Sequence, residues 1–397
     1  MRCLRSKYEL DHRLGLDYYI TTTTGLGGTL RENTDDFIVD EIPIEILPNQ
    51  TGEYTQFTME KRNWESVGAI RAIARATRVP QRRFSYAGNK DKRALTTQRV
   101  SAWRIEEERL LRVRVNGIRL YDFCKSDFGL KTGDLKGNKF RIIIRNLDSI
   151  GEPLTTLVRT VHEQITSKGI PNYFGYQRFG TIRPNTHLVG RELVKGNLEE
   201  SVLQYLGRPF DTEPEDSREA RRHLDETRDF QRSLELYPKH LTYERMMLAA
   251  LAKNPSDYVG ALRRLPRGLR TLLVHGYQAF LFNRMLSRML ELQEDVRDAT
   301  LPLVGFKTNL SDGGLNEPNK SILAEEGVSP DNFRIRELPE LSSEGDERPA
   351  FIAVNLASQA GEEGNNKSTV NVEFTLPPGS YATVVVREFM KSDPLNY

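Results

Sequence analysis

The chain of 397 residues is poor in cysteine, histidine and long apolar runs, and each shortage argues against a class of protein. Its two cysteines, Cys3 and Cys124, cannot build a disulfide framework, which favours a reducing, cytoplasmic setting. No apolar run approaches the ~18 residues of a membrane span, and the start of the chain lacks the apolar centre of a secretory signal. None of the six histidines has zinc-ligand spacing to another histidine or a cysteine, so we predict no metal site.

The chain also lacks a large net charge of one sign, because its 57 basic residues are nearly balanced by 55 acidic ones. The charges are unevenly distributed, however. Between Lys61 and Arg99 there are eleven Lys or Arg residues and only two acids, whereas acids gather in segments 211–216 and 336–347. A basic face beside acidic edges suits a polyanionic partner, since neutralised phosphates release counterions. Ordinary solvated helix faces would produce similar charge runs.

Hydrophobic periodicity predicts an α/β protein with strands towards both ends of the chain and helices in the middle. Strands are predicted at 36–42, 53–61, 83–88, 96–105, 138–147 and 370–390. One helix is predicted from Trp64, capped by Asn63, to about residue 78, and residues 190–295 are mostly helical in pattern. Segment 357–368 is predicted to be a flexible surface loop.

The stretch "AGNKDK" places one acid, Asp91, in basic surroundings. Gly88 and Asn89 both tolerate positive φ, so a sharp turn can present Asp91 at the end of a strand. Nearby positive charge would hold this carboxylate ionised, and its sources are Lys90, Lys92 and Arg93. An exposed carboxylate among phosphate-binding groups suits a nucleophile or a base that acts on a nucleic acid. A plain charged hairpin turn would show the same residues.

Two further segments combine aromatic with polar residues. In "KGNKFRIIIR" a polar turn precedes Phe140, which could stack on a base for about 1–3 kcal/mol or belong to the core of a buried strand. The segment "PNYFGYQRFG" combines four aromatic residues with Gln177 and Arg178, which is the composition of a nucleotide-contacting loop. A tight aromatic corner that packs two domains together would have the same composition.

Together these segments resemble, in their order along the chain, the signatures of the TruD family of tRNA pseudouridine synthases in its archaeal form. The matching segments, which span residues 29–390, are "DDFIVDEI" preceded by Arg31, "AGNKDKRALTTQ", "LKGNKF", "PNYFGYQRFG" and "LPPGSYATVVVRE". The resemblance implies an α/β (α+β) fold, with a pseudouridine-synthase-type catalytic domain whose mixed, largely antiparallel sheet is flanked by helices. It also implies an inserted TruD-specific α/β domain at 169–347, between catalytic parts at 1–168 and 348–397.

The resemblance implies roles for single residues of this sequence. Asp91 takes the position of the family's essential aspartate, the catalytic nucleophile or base. Arg31 takes the basic position that pairs with this aspartate, where bacterial members have Lys, and its guanidinium keeps the charge but presents a planar fork. Phe140 takes a place that is Tyr in other synthases. The remaining predicted substrate-binding residues are Asn138, Gln98, Gln177 and Arg178.

The implied activity is the isomerisation of uridine in tRNA to pseudouridine, with uridine-13 of the D-arm as the family's usual target. The reaction needs no cofactor, and tRNA is the expected partner, without a membrane or an obligate protein partner. A synthase for other RNAs and a non-catalytic RNA-binding protein of the same fold are the alternatives. A glycosidase is disfavoured, because glycosidases commonly use two carboxylates and Asp91 is the one acid close to the basic turn.

Overall fold

The structure is a computed structural model that describes residues 3–45, 49, 51–148, 153–311, 314–363 and 367–397. Its strands, in chain order, are β1 (Leu4–Arg5), β2 (Tyr18–Tyr19), β3 (Gly27–Thr29), β4 (Phe37–Pro43), β5 (Tyr54–Arg62), β6 (Phe84–Tyr86), β7 (Leu95–Trp103), β8 (Ile118–Ser126), β9 (Leu135–Leu147), β10 (Ile170–Pro171), β11 (Thr300–Leu303), β12 (Asp346–Pro349), β13 (Phe351–Ile352), β14 (Leu356–Glu363) and β15 (Lys367–Leu376). Its α-helices are α1 (Glu9–Arg13), α2 (Ser66–Ala76), α3 (Glu107–Leu111), α4 (Leu154–Lys168), α5 (Thr186–Val194), α6 (Leu198–Leu206), α7 (Glu215–Thr227), α8 (Phe230–Leu236), α9 (Thr242–Leu251), α10 (Tyr258–Leu262), α11 (Arg267–Glu291), α12 (Asn316–Glu326) and α13 (Ala382–Met390). Within these described residues, no helix is both long enough and apolar enough to cross a membrane.

The chain forms two compact units, each made of two stretches of sequence. The sheet unit comprises Thr21–Ile170 and Ala353–Tyr397. The helical unit comprises Met1–Ile20 and Pro171–Ile352. The first twenty residues, which the sequence analysis places in the catalytic domain, therefore group with the helical unit.

A single sheet organises the sheet unit. Among the described residues its main path runs β14–β15–β9–β4–β7–β5–β8, while β3 pairs with β9 and β6 with β7. The β4–β7 pair is parallel, and the other neighbouring pairs are antiparallel. The predicted fold class, a mixed and largely antiparallel sheet flanked by helices, is confirmed.

The strand register lines up one row of side chains that positions the candidate site. Residues paired across neighbouring strands point to the same face of a sheet. The row consists of Phe374 on β15, Phe140 on β9, Val39 on β4, Thr96 on β7 and Lys61 on β5. All five side chains are buried, so this face of the sheet is the one that is covered.

Helix α2 covers part of this face because its apolar residues recur with helical spacing. Ala69, Ile70, Ile73 and Ala74 are its buried apolar residues, and they join a core cluster with Phe57, Met59 and Val100 of the sheet. Helix α4 contributes a second apolar stripe: Leu157, Val158, Val161 and Ile165. Burial of these two stripes holds both helices against the sheet.

The helical unit contains the long helix α11, against which α5, α12 and β11 pack. Two polar side chains of α11 hold the first residues of the chain: Asn283 Nδ2 donates to the carbonyl oxygen of Leu14 at 3.1 Å, and Ser287 Oγ donates to that of Gly15 at 2.8 Å. Helices α5 to α11 span the stretch 190–295 that was predicted to be helical.

The C-terminal segment differs from the prediction. Residues 370–390 were predicted as strand, but β15 ends at Leu376 and α13 follows it. The run "TVVV" is rich in β-branched residues, which favour strands by composition. Every residue of α13 is buried, so its β-branched residues pack as a helix within the protein.

The loop predicted over 357–368 also differs in the structure. Residues 357–363 belong to β14, which pairs antiparallel with β15, whereas 364–366 lie outside the described residues. Gly, Glu and Asn suggested a loop, but Leu356 and Phe374 are buried cross-strand partners that fix the register at the base of this hairpin.

Candidate active site

Asp91 lies in the segment 87–94 between β6 and β7, which we call the Asp91 loop. Its side chain is 39% exposed, and Oδ1 accepts a hydrogen bond from Nη2 of Arg31 at 3.3 Å. The structure therefore brings together the two residues that were predicted to form a pair. The carboxylate faces solvent on one side and a guanidinium on the other.

Arg31 is held in an unusual backbone conformation. Its φ is 59°, a left-handed value that costs a non-glycine residue of the order of 1 kcal/mol. Its guanidinium lies 4.0 Å from the centre of the Phe37 ring, and its side chain is 11% exposed. Burial lowers the pKa of Arg31, Asp91 opposes that effect, and Arg93 lowers it further. The guanidinium is thus fixed between an aromatic ring and the Asp91 carboxylate.

Lys61 is a component of the site that the sequence analysis missed. It lies near the end of β5 and is fully buried. Its Nζ donates to three carbonyl oxygens: Trp64 at 2.6 Å, Asp91 at 2.7 Å and Lys90 at 3.3 Å. Burial lowers the pKa of Lys61 to about 8, although Asp91 opposes this shift. The alternation along β5 indicated a buried face but gave no sign of these partners.

Gln98 supports the Asp91 loop from beneath. It is 1% exposed; its Nε2 donates to the carbonyl oxygen of Gly88 at 3.1 Å, and its Oε1 accepts from Ser66 Oγ at 2.7 Å. Ser66 in turn accepts from the N–H of Lys90 at 2.9 Å. Both ends of the Gln98 amide are therefore occupied by protein groups, although this residue was predicted to bind substrate.

The start of α2 differs slightly from the prediction. The helix begins at Ser66 rather than Trp64. Asn63, the predicted cap, lies before it with a φ of 60° and donates its N–H to the carbonyl oxygen of Ala94. The shift matters because Ser66, as the first helical residue, is the one that reaches the Asp91 loop.

Two expectations about the Asp91 loop are wrong. Lys90 does not face Asp91; its Nζ lies 2.6 Å from Oε2 of Glu41, and both side chains are almost fully buried. Lys90 therefore neutralises the buried Glu41 carboxylate on β4 rather than Asp91, since a buried acid requires a close cation. The turn also forms without positive φ at Gly88 or Asn89.

Phe140 and Asn138 lie two residues apart on β9. Phe140 is 6% exposed, stacks on Phe374 with ring centres 5.4 Å apart, and meets the edge of Phe37 at 6.3 Å. In this structure Phe140 packs as a core residue and contacts Phe37, the ring on which the Arg31 guanidinium lies. Asn138 is half-buried opposite Glu41, and within the described part of the chain its buried Oδ1 has no hydrogen-bond partner.

Gln177 and Arg178 belong to the helical unit, whereas the other five predicted site residues belong to the sheet unit. They form a 3₁₀ turn with Tyr176 and are half-buried. The Arg178 guanidinium lies 5.6 Å from the centre of the Phe174 ring. The N–H of Phe174 donates to Oδ1 of Asn283 at 2.8 Å, so this aromatic segment is anchored on α11.

The geometry around Asp91 gives a carboxylate with fixed backbone, one cationic partner and an open side. Such a group can attack an electrophilic carbon or accept a proton. Among the residues that the structure describes, no group of three or more His, Cys, Asp or Glu side chains could hold a metal ion.

Comparisons with known proteins agree with the sequence motifs. The family model described as "tRNA pseudouridine synthase D (TruD)" matches residues 13–299 and 293–389. A relative from Methanosarcina mazei, named "Probable tRNA pseudouridine synthase D", is 37% identical over 98% of both chains. One of the same name from Methanopyrus kandleri is 40% identical over 86% of both. A crystal structure of TruD from Methanosarcina mazei superposes with a TM-score of 0.82 at 36% identity, covering 97% of this chain and 98% of that one.

Proposed function

The chain belongs to the TruD family of tRNA pseudouridine synthases, and on this premise we propose that it isomerises uridine-13 of the tRNA D-arm to pseudouridine with Asp91 as its catalytic carboxylate. The observation that carries the proposal is the partly exposed Asp91 carboxylate beside the buried Arg31 guanidinium. A carboxylate with one fixed cationic partner and one open side can reach a bound sugar and remain oriented.

The isomerisation breaks one bond and forms another at the same sugar carbon. The N1–C1′ bond breaks with its electron pair going to N1, the base turns, and C5 forms a bond to C1′. C5 then loses its proton and N1 gains one, so neither oxidation nor net hydrolysis occurs. Asp91 acts on the ribose, either by attacking C1′ or by removing the 2′ proton. Arg31 orients it through the 3.3 Å contact.

The target nucleotide must leave its stack, because its sugar and base edge are inaccessible inside folded tRNA. Asn138 is proposed to hold the detached base. Its buried amide oxygen has no hydrogen-bond partner among the described residues, which supports this role. Stacking of the base on Phe140, and nucleotide contacts by Gln177 and Arg178, stay predictions. In this proposal Gln98 acts by holding the Asp91 loop. The protein works on tRNA in the cytoplasm, in line with its two free cysteines.

Mapping pseudouridine in RNA tests the proposal. The chain is expressed in a host whose tRNA lacks pseudouridine at position 13, and pseudouridine is mapped in total RNA with and without the protein. We expect new pseudouridine at position 13 of tRNA. New sites confined to other RNAs would point to a different substrate, and no new site in any RNA would contradict the activity itself.

A further inference from the structure

Lys61 is a buried cation that the mechanism above does not use. All three of its N–H donors are directed at main-chain oxygens. Two of these oxygens belong to the Asp91 loop, at Lys90 and Asp91, and the third belongs to Trp64 just before α2. The Lys61 ammonium, at the end of β5, therefore connects two segments: the Asp91 loop and the residues just before α2.

Lys61 differs from the other buried lysine near Asp91 in its lack of a carboxylate partner within the described part of the chain. Among the residues that the structure describes, Lys61 forms no ion pair, whereas its neighbour in the loop, Lys90, is neutralised by Glu41. Burying a lysine ammonium on carbonyl oxygens alone is unfavourable, and the lowered pKa of Lys61 reflects that burial. An apolar side chain at this position would leave the three carbonyl oxygens without this donor, so the ammonium has a specific task at the Asp91 loop.

We propose that Lys61 is a positioning residue of the isomerisation: it fixes the main chain of Asp91 and thereby the direction of the carboxylate, and it touches no substrate. This inference rests on the proposed role of Asp91. The contact to the Asp91 carbonyl oxygen is 2.7 Å, and the side chain of that same residue extends to Arg31. Lys61 thus sets the backbone end of Asp91, and Arg31 sets the carboxylate end.

The arrangement gives the reaction an alkaline limit. Three charged groups face Lys61. Asp91 and Glu65 favour the protonated ammonium, whereas Lys90 disfavours it. Because the pKa of Lys61 is about 8, raising the pH through that value removes a donor and the positive charge from the Asp91 loop. The rate of the chemical step then falls.

The same titration acts in the opposite direction on stability. The pKa of Lys61 in the folded chain lies below its ordinary value of 10.5, so the folded chain releases this proton before the unfolded chain does. The contribution of this group to the free energy of unfolding therefore grows as the pH rises from about 8 towards 10.5. Deprotonation of Lys61 above pH 8 thus does not itself promote unfolding.

The test compares Lys61→Met, Lys61→Gln and the wild-type chain in single-turnover reactions on an unmodified tRNA transcript with uridine at position 13. A displacement of the carboxylate by about 1 Å reduces a rate by roughly 100-fold, and we expect a loss of that size in Lys61→Met with unchanged affinity for the transcript. Lys61→Gln, which keeps amide donors, regains part of the rate. Lys125→Met, which removes a lysine that is paired with Glu106 and lies on β8 at the opposite end of β5 from Lys61, is the control for loss of a lysine in the same sheet.

The pH profile separates positioning from folding. Between about pH 6.5 and 9 the wild-type rate should fall with a midpoint near the pKa of Lys61, while both Lys61 variants lack this step. Lys125→Met keeps the step, and so does Lys391→Gln, which removes another buried lysine whose pKa is lowered by burial to about 8. A fall in rate with the same midpoint in both Lys61 variants overturns the inference. Full activity of Lys61→Met overturns it as well.

A failed positioning role and a failed proposed function give different results. If Asp91→Asn is inactive while Lys61→Met has the wild-type rate and pH profile, Asp91 acts without help from Lys61. If Asp91→Asn is active, the proposed function of Asp91 is wrong, and the positioning role of Lys61 is wrong with it. Circular dichroism and transcript binding establish for each variant that the chain is folded.

Discussion

Two buried cations, one in each unit, are held in opposite ways: Arg221 by carboxylates and Lys61 by carbonyl oxygens. In the helical unit the buried Arg221 forms ion pairs with Glu213 at 2.7 Å and Glu244 at 3.0 Å, and Arg183 lies 3.2 Å from the same Glu213. In the sheet unit the buried Lys61 donates to three carbonyl oxygens and, among the described residues, forms no ion pair. Arg221 is thus neutralised within its own network, whereas Lys61 keeps its positive charge next to the loop of the partly exposed Asp91 carboxylate.

The pKa directions of Arg221 and Lys61 differ in the same way, although burial lowers the pKa of Arg183 beside Arg221 to about 10. Burial lowers the pKa of Arg221, but Tyr237 and the carboxylates of Glu213 and Glu244 outweigh that effect and raise it. Burial also lowers the pKa of Lys61, and there Asp91 does not compensate, so that it falls to about 8. We expect the network around Arg221 to serve folding and the charges around Asp91 to serve the proposed reaction.

The largest effect on stability is expected from opening the network around Arg221. Arg221→Met leaves Glu244 without this cation and, among the described residues, Glu213 with Arg183 alone, and it should lower the free energy of unfolding by about 3–5 kcal/mol. The rate of the remaining folded enzyme should stay unchanged. Urea denaturation measures the loss, and Arg218→Met on the same helix, where the arginine is partly exposed, is the control. A loss below about 1 kcal/mol would place Arg221 among ordinary surface ion pairs.

Removing the cation beside Asp91 should act on the rate instead. Arg31→Met frees the Asp91 carboxylate from its 3.3 Å contact, and we expect single-turnover isomerisation to slow by roughly 100-fold. Arg31→Lys keeps the charge without the planar fork and should recover part of that loss. If both variants isomerise the transcript as fast as wild type, Arg31 does not orient the carboxylate.

A smaller change should come from the support beneath the Asp91 loop. Ser66→Ala removes one partner from the N–H of Lys90 and one from the amide of Gln98, which costs about 1–3 kcal/mol per buried group. We expect a measurable loss in both the free energy of unfolding and the single-turnover rate. Ser358→Ala, which loses a contact to His162 in the same unit, should reduce stability alone. Equal rates for the two variants would argue against loop support by Ser66.

The smallest change per residue is expected at the exposed arginines of α2 and the segment after it. Arg71, Arg75, Arg78 and Arg82 are all exposed. Each one that contacts a phosphate contributes about 0.7–0.9 to the slope of log affinity against log salt. Replacing Arg75 by Gln should therefore reduce the slope for tRNA by about that amount, with no change in the free energy of unfolding. A slope identical to wild type would remove Arg75 from the tRNA interface.

Parts of the site that rest on local sequence could be predicted. "AGNKDK" indicated an exposed carboxylate on a turn, and the family motif indicated Arg31 as its partner. Strand β9 was also evident: a strand was predicted over 138–147, and β9 runs from Leu135 to Leu147. These features are encoded by residues that are neighbours in the chain or that belong to one motif.

The parts that could not be predicted depend on contacts between distant residues. Lys61 meets a carbonyl oxygen thirty residues later in the chain, and Lys90 meets Glu41 on a strand that precedes it by almost fifty residues. Nothing in the local sequence shows that Arg31 adopts a left-handed φ. The buried helix α13 was mistaken for strand because its β-branched run favours strands by composition.

The most direct test of the account is single-turnover conversion of a tRNA transcript by Asp91→Asn with the enzyme in excess. Asparagine keeps the size of the side chain but supplies neither a nucleophilic carboxylate nor a base. We expect the variant to bind the transcript with wild-type affinity and to form no pseudouridine. Pseudouridine formation at the wild-type rate would contradict the central claim that the Asp91 carboxylate carries the chemistry.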